Sequence, residues 1–408
     1  MRVAIWHNLP SGGGRRAMVD HVENLLERGH EVEVFCPNEA RHEEPAFPAS
    51  VPVNTLPLGL LSRGRRWSPT PPAPVILDRI RALRRHGEEA ARRINEGHFD
   101  VLYAGACRYT RAPSVARNVN IPSLLYLGEP YRWLYEALPT LPLAHRPRQT
   151  LSRPALAYVG WHAALRSQAR FELSAASAFD RILVNSRFSR ESVLRAYGLE
   201  ARVCRLGINL QRLDPVQEYV AKQRQVIGIG AIVPEKRVLM AIDAVALLAE
   251  PRPRLLWVGN VSDPAYAAAC EAAAKGKNVD LRLRAGISDE HLATALRESQ
   301  LMVYAPRLEP FGYAPLEAAA AGLPVVGVAE GGVRETIVDG VTGLLVEGGA
   351  SALAAAIDTL LANDGLRSRL GRQGRATVER DWAMSDSIDR LERHLFDVVD
   401  GRRAKCRV

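Results

Sequence analysis

The sequence has no run of the roughly 18 or more consecutive apolar residues that a membrane-spanning helix needs. Cysteine is scarce: five residues, Cys36, Cys107, Cys204, Cys270 and Cys406, stand far apart. An odd number without Cys-x-x-Cys spacing or a Cys/His cluster excludes a disulfide framework and a zinc ribbon. Aromatic residues make up 6% of the chain, and among the arginines between Arg63 and Arg93 stands the single Trp67, not a row of base-stacking platforms, which argues against nucleic acid as partner. No Asp-x-Asp occurs, so no divalent ion is expected. Met1-Arg2 leads straight into the short apolar run Val3 to Trp6, too short for a signal-peptide core. The expectation is a reducing cytoplasm, with association at the inner face of a membrane left open.

What is present is the balance of a globular protein, 47% apolar and 24% charged residues over 408 positions, enough for two or three domains. Only the basic tail Arg402 to Val408 suggests disorder. The formal charge is +9. Between Arg63 and Arg93 lie nine arginines, at positions 63, 65, 66, 79, 81, 84, 85, 92 and 93. The nearby acids are Asp78, Glu88, Glu89 and Glu96. This run reads either as a solvated helix face or as a surface for anionic lipid headgroups.

Short, continuously apolar runs alternate with helical stretches, the pattern of parallel strands covered on both faces. Expected strands in the first half are Val3–Trp6, Glu31–Phe35, Asp100–Ala104, Ser123–Leu127 and Arg181–Asn185. In the second half they are Gln225–Gly230, Arg254–Gly259, Val279–Leu283, Leu301–Ala305 and Pro324–Val328. Helices are expected over Arg15–Arg28, stopped by Gly29, over Lys236–Ala249, stopped by Pro251 and Pro253, and over Asp381–Val399. A polar stretch around Asp214 to Lys222 separates two strand–helix series. Proline-rich loops at Ser68–Pro74 and Leu138–Pro154 read as connectors or as acceptor-recognition loops.

The strongest chemical signal runs from Glu309-Pro-Phe-Gly312 through Glu317 to Gly322. It follows a strand, where open α/β sheets bind ligands. Gly312 lets backbone approach a ligand, and Pro315 suits the first position of a helix whose N-terminal amides seat an anion. Glu317 is then expected in the first helical turn. The helix dipole alone would account for Glu317 but not for Glu309. Val226 to Gly230, Ala231 and Val233-Pro-Glu-Lys236-Arg237 read as a strand, a turn and a helix start carrying a cation, suited to an anionic ligand. Gly331-Gly332-Val-Arg-Glu335 opens a further helix, and Asp339-Gly340 to Val346 forms a turn and a short strand.

Together, Glu309-x7-Glu317, Gly331-Gly-x-x-Glu335, Asp339-Gly-x-x-Gly-x-Leu-Val346 and Val233-Pro-Glu-Lys236 resemble glycosyltransferase family 4. So do Arg181-Ile-Leu-Val-Asn-Ser-Arg-Phe-Ser189, Gly207-Ile-Asn209, Gly12-Gly13-Gly14 and Arg28-Gly-His-Glu-Val32. The likeness covers most of the chain except roughly residues 39–98. It implies the GT-B fold: two Rossmann-like α/β domains facing across a cleft. An acceptor domain would span 1–213 and a nucleotide-sugar domain 214–380. A C-terminal helix, 381–408, would pack back on the first.

The resemblance also implies a retaining, metal-independent transfer of sugar from a UDP- or GDP-sugar to a hydroxyl acceptor, which could be lipid-linked. It gives Lys236 to the diphosphate, Glu309 to the transferred sugar with the amides of Phe311, Gly312, Tyr313 and Ala314, and Glu317 to the ribose. The stretch Arg284 to Ile287 would line the base pocket, and Gly13 and Gly14 would let a loop close over the phosphates. Two positions depart from the family. Ala231 stands where an arginine is usual, with Arg237 or an arginine of the first domain as candidate substitutes. Gly128 stands where a histidine is usual, with Glu129 and Arg132 beside it able to reach sugar or acceptor, or to form a structural ion pair. A non-catalytic homologue and a sugar-nucleotide epimerase or hydrolase are the alternatives. A dinucleotide dehydrogenase fits poorly, because Ser11-Gly-Gly-Gly14 lacks the required glycine spacing.

Overall fold

The apolar runs form the strands of two parallel sheets in the computed structural model, which describes residues 1–60, 71–136, 153–210 and 222–405. Arg63, Arg65, Arg66, Cys406, positions 68–70 of the first proline-rich loop, 138–152 of the second and 214–221 of the polar stretch lie outside the described residues, while Ala73 and Pro74 of the first loop open a helix. The chain divides into unit 1, Met1–Cys204 with Ile388–Val408, and unit 2, Arg205–Ser387.

Unit 1 runs β1 (Arg2–Asn8), α1 (Gly13–Glu27), β2 (Glu31–Pro37), β3 (Val53–Leu56), α2 (Ala73–Glu96), β4 (Val101–Cys107), β5 (Ser123–Tyr126), α3 (Arg132–Tyr135), α4 (Arg153–Ala176), β6 (Arg181–Val184), α5 (Arg187–Tyr197) and β7 (Arg202–Val203). Its sheet has the order β3-β2-β1-β4-β5-β6-β7. Val3, Ala4 and Ile5 in β1, and Val101, Leu102 and Tyr103 in β4, are fully buried. Each large aliphatic side chain so covered contributes roughly 1.5–3 kcal/mol. Helix α1 turns Met18, Val22 and Leu25 inward. In α2 the buried residues Val75, Ile76, Ile80, Leu83, Ala90, Ala91 and Ile94 recur at helical spacing, so Arg81, Arg84, Arg85, Arg92 and Arg93 stand exposed on the outer face of an amphipathic helix. Ser186 caps α5 by accepting the Ser189 N–H at 2.9 Å, and Gly198 (φ +66°) ends that helix.

Unit 2 runs β8 (Gln225–Ile229), α6 (Val238–Ala246), β9 (Arg254–Gly259), α7 (Pro264–Gly276), β10 (Leu281–Ala285), α8 (Asp289–Glu298), β11 (Leu301–Tyr304), α9 (Tyr313–Ala320), β12 (Val325–Val328), α10 (Val333–Thr336), β13 (Gly343–Val346), α11 (Ala350–Ala362) and α12 (Asp364–Asp381). The sheet order is β10-β9-β8-β11-β12-β13. Its core gathers Val226, Ile242, Trp257, Leu301, Val303, Val326, Leu353 and Ile357. The last helix, α13 (Met384–Lys405), supplies unit 1 from Ile388 onward. There Glu392 meets Arg28 at 2.9 Å and His30 at 2.7 Å, and Asp397 meets Arg181 at 2.9 Å.

Several boundaries differ from expectation. The stretch 236–249 is not one helix. Pro234–Lys236 forms a single 3-10 turn, Arg237 takes the left-handed conformation (φ +52°), and α6 begins only at Val238. Strand β10 starts at Leu281 rather than Val279, because on this edge strand the burial alternates instead of running continuously. The strands β3 and β7 were not expected. The first, Val53-Asn-Thr-Leu56, is broken by two polar residues, and the second has two residues only, so neither shows a continuous apolar run. The final helix begins after buried Trp382, at Met384.

Candidate active site

In unit 2 the strand order reverses between β8 and β11. The chain leaves β8 toward β9 and leaves β11 toward β12, so the connections after these two strands diverge and open a crevice at their C-terminal ends. That reversal brings Lys236 and Glu309 together. The Lys236 ammonium donates to the Glu309 carboxylate, Nζ to Oε2 2.6 Å, and both side chains are only partly exposed.

Helix α9 starts at the same crevice. Gly312, its N-cap, has φ +95°, a left-handed conformation that costs an L side chain roughly 1–2 kcal/mol. A Cβ there would also lie 2.9 Å from Thr336 Oγ1. Because Gly312 permits this turn, the helix begins at Tyr313, two residues earlier than expected. Pro315 is therefore the third helical residue, where a missing N–H still costs no intrahelical bond. Glu317 falls in the second turn rather than the first, and it is buried. Burial, together with the nearby charges of Glu309 and Glu317, pushes the Tyr304 phenol well up. Tyr313 donates its hydroxyl to the Gly207 carbonyl at 3.0 Å, while Phe311 is buried edge-on against Trp382 with ring centroids 5.5 Å apart.

Arg237 is held by a residue the sequence reasoning passed over. Its guanidinium grips Glu330 with two hydrogen bonds, at 2.8 and 3.2 Å. Glu330 directly precedes Gly331-Gly332, and an acid two residues past the end of β12, ahead of two glycines, was the available signal. Arg284 and Ile287 stand apart from this group. Arg284 is exposed on edge strand β10, two strands from β8, and Ile287 is partly buried just beyond it. They connect to the crevice through backbone: the Gly286 N–H donates to the Gly259 carbonyl at 2.8 Å. A Cβ on Gly259 would fall 2.4 Å from the Gly230 carbonyl oxygen and 3.2 Å from the Ala231 Cα.

The remaining expected residues belong to unit 1. Its order reverses between β1 and β4. Gly13 and Gly14 are exposed at the start of α1, and a Cβ on Gly13 would meet nothing within 4 Å. Ser11 beside them donates its N–H (2.8 Å) and hydroxyl (2.7 Å) to Glu43, which also pairs with Arg108. Glu129 forms ion pairs with Arg111 at 3.0 Å and Arg132 at 3.5 Å. The Gly128 carbonyl accepts the Ser189 hydroxyl at 2.6 Å. His7 is fully buried, 3.0 Å from an Arg15 nitrogen; burial and then the Arg15 charge hold its pKa well below the ordinary range. Under the Glu129 loop, Glu172 accepts from the Tyr197 hydroxyl at 3.0 Å and from Gln168 at 3.3 Å. Its burial pushes the carboxyl up to about 8.

Among the described residues, no helix is long and apolar enough to cross a membrane. None of their His, Cys, Asp and Glu side chains gather in threes placed to hold a metal.

The comparisons with known proteins agree with this architecture. Residues 11–212 match the family model "Glycosyltransferase Family 4" and residues 211–377 match "Glycosyl transferases group 1". A protein from Streptomyces avermitilis named D-inositol 3-phosphate glycosyltransferase is 30% identical over 224 residues, 49% of this chain and 48% of that protein. One of the same name from Geodermatophilus obscurus is 28% identical over 388 residues, 89% of this chain and 80% of that protein. The matched stretch thus spans about half the length of the first of these relatives. Sucrose-phosphate synthase from Thermosynechococcus elongatus superposes with a TM-score of 0.76 at 20% identity, over 97% of this chain and 99% of the other. Anabaena HepE, solved with UDP and glucose, superposes with a TM-score of 0.70 at 16% identity, over 97% of this chain and 100% of the other. With both halves matched by their family models and both parallel sheets in place, the chain belongs to the glycosyltransferases of the GT-B type.

Proposed function

We propose that this protein moves a glycosyl unit from a nucleoside diphosphate sugar to a hydroxyl acceptor, with retention of configuration and without a metal. The observation that carries the reading is the Lys236–Glu309 pair at the β8/β11 reversal, beside the N-terminus of α9. A diphosphate arriving there offers Lys236 a stronger counter-charge than one carboxylate. Lys236 and the amides around Gly312 then stabilise the leaving group, while Glu309, released from the ammonium, accepts hydrogen bonds from sugar hydroxyls. Glu317 takes the ribose, and the backbone from Arg284 to Ile287 takes the base. In a front-face attack the departing phosphate oxygen removes the acceptor proton. The protein's part is then electrostatic stabilisation and positioning.

The donor is assigned as a UDP- or GDP-sugar; HepE's bound UDP favours the first. The acceptor is assigned to unit 1, with Glu129 and Arg132 as its polar contacts. The exposed arginines of α2 suit a lipid-linked acceptor at an anionic surface.

The test is a panel of UDP- and GDP-sugars read by thermal stabilisation, followed by transfer assays in EDTA with the product anomer determined by NMR. Nucleotide-dependent stabilisation and an anomer matching the donor are expected. No stabilisation by any nucleotide would overturn the reading. Tight nucleotide binding with no turnover on any acceptor would replace it with a non-catalytic binding role, which Ala231 and Gly128 would then explain.

A further inference from the structure

Arg237 has a backbone conformation that argues against a casual salt bridge. At φ +52° it lies in the left-handed region, which disfavours any side chain with a Cβ. The chain nonetheless places its largest cation there, and the guanidinium is spent on Glu330 in two-point geometry. Glu330 does more than balance charge. Its Oε2 also accepts the Leu308 N–H at 3.3 Å, and Leu308 is itself left-handed at φ +46°. On either side of that bond the same segment is tied down by backbone. The Arg307 N–H donates to the Glu235 carbonyl at 2.9 Å, and the Glu309 carbonyl accepts the Gly332 N–H at 2.7 Å. Gly331 (φ +62°) must be glycine, since a Cβ would sit 2.4 Å from the Glu309 carbonyl oxygen.

We propose that Arg237 and Glu330 are positioning residues: a clamp that fixes the Leu308–Glu309 backbone and so aims the Glu309 carboxylate at the sugar, rather than a replacement for the arginine absent at Ala231. The inference rests on the functional reading above for what Glu309 does. The mechanical part stands on its own. A guanidinium gripped at two points by a carboxylate is harder to draw away to a diphosphate than Lys236, which is held at one. Its value lies in holding three loops, those after β8, β11 and β12, in one register.

The experiment uses the full-length protein with Glu330→Gln, Arg237→Lys and Arg237→Gln. Hydrogen exchange over residues 306–312 is expected to quicken about tenfold in Glu330→Gln, as the charge-assisted bond to Leu308 weakens. Turnover should fall about 10–100-fold with the donor KM changed less than about threefold, because misplacement costs rate more than affinity. Arg237→Lys should recover part of the loss and keeps the test open if Arg237→Gln fails to fold. Unchanged exchange over 306–312 in both Glu330→Gln and Arg237→Lys would overturn the clamp. So would weakened UDP and GDP binding in Arg237→Gln alongside tighter binding in Glu330→Gln, the signature of a diphosphate ligand. If the wild-type protein transfers no sugar, the functional reading falls, and the exchange measurement still decides the clamp.

Discussion

The Nζ of Lys236 lies 2.6 Å from Oε2 of Glu309, so each is the other's counter-ion. These side chains come from connections after strands β8 and β11, 73 residues apart in sequence. The pair is a cation and an acceptor held at one point, each with a partner it can exchange. In the function proposed above, a diphosphate and a sugar hydroxyl arriving on one molecule would satisfy both at once.

Replacing Lys236 with Ala is expected to lower turnover by on the order of 10²–10³, the loss typical of removing one preorganised donor from a developing negative charge. Single-turnover kinetics with a UDP-sugar measure it. Glu309→Gln should retain UDP affinity while losing turnover. A variant of Lys236 that kept wild-type turnover would remove the ammonium from the mechanism.

Gly312→Ala meets two obstacles, the left-handed backbone and Thr336 Oγ1 at 2.9 Å from the added Cβ. A loss of roughly 1–3 kcal/mol is expected, visible in denaturant unfolding. Nucleotide affinity should weaken with it. Gly13→Ala, whose Cβ meets nothing within 4 Å, should leave the fold unchanged.

Glu172 gives a pH dependence of defined sign. Its carboxyl is raised by burial from an ordinary 4.5 to about 8. Below the lower value, folded and unfolded chains are both protonated there. As pH rises from about 4.5 to about 8, the unfolded chain releases its proton first, so this group's contribution to stability falls across that window and then levels off. Glu172→Gln, which stays neutral, should flatten this part of the pH–stability curve. An identical slope in the variant would mean that Glu172 ionises normally.

Arg81, Arg84 and Arg85 are exposed on the outer face of α2, whereas Arg92 and Arg93 are paired with Glu89 and Glu96. Changing the first three to Gln should weaken binding to vesicles rich in anionic lipid by up to about 100-fold, at about 1 kcal/mol per arginine near the surface. Raised salt should weaken the wild-type protein similarly. Co-sedimentation reads both, and equal binding of the two proteins to anionic and neutral vesicles would count against a headgroup surface.

Much of the fold was legible because buried parallel strands are continuous apolar runs, as in Val3 to Trp6 and Leu301 to Ala305. The site was legible where backbone demands and charge coincide, as at Gly312 with Glu309. What escaped were properties set by tertiary geometry. Nothing in Lys236-Arg237 announces that the arginine turns left-handed and ends the first turn, and the carboxylate that meets its guanidinium, Glu330, lies 93 residues further along the chain. The start of α9 was misplaced for a similar reason. Pro315 marks a helix beginning locally, but a glycine held against Thr336 starts it sooner. Glu129 was open to a ligand or to a structural ion pair, and the sequence could not name Arg111, 18 positions away, as its partner.

Unit 1 is built from two separate lengths of chain, with Ile388 onward joining Met1–Cys204, whereas unit 2 is continuous from Arg205 to Ser387. During synthesis all seven strands of the first sheet are made before unit 2, whereas the helix carrying Glu392 is made last. Arg28 and His30 therefore gain their carboxylate partner only after every residue of unit 2 has been made.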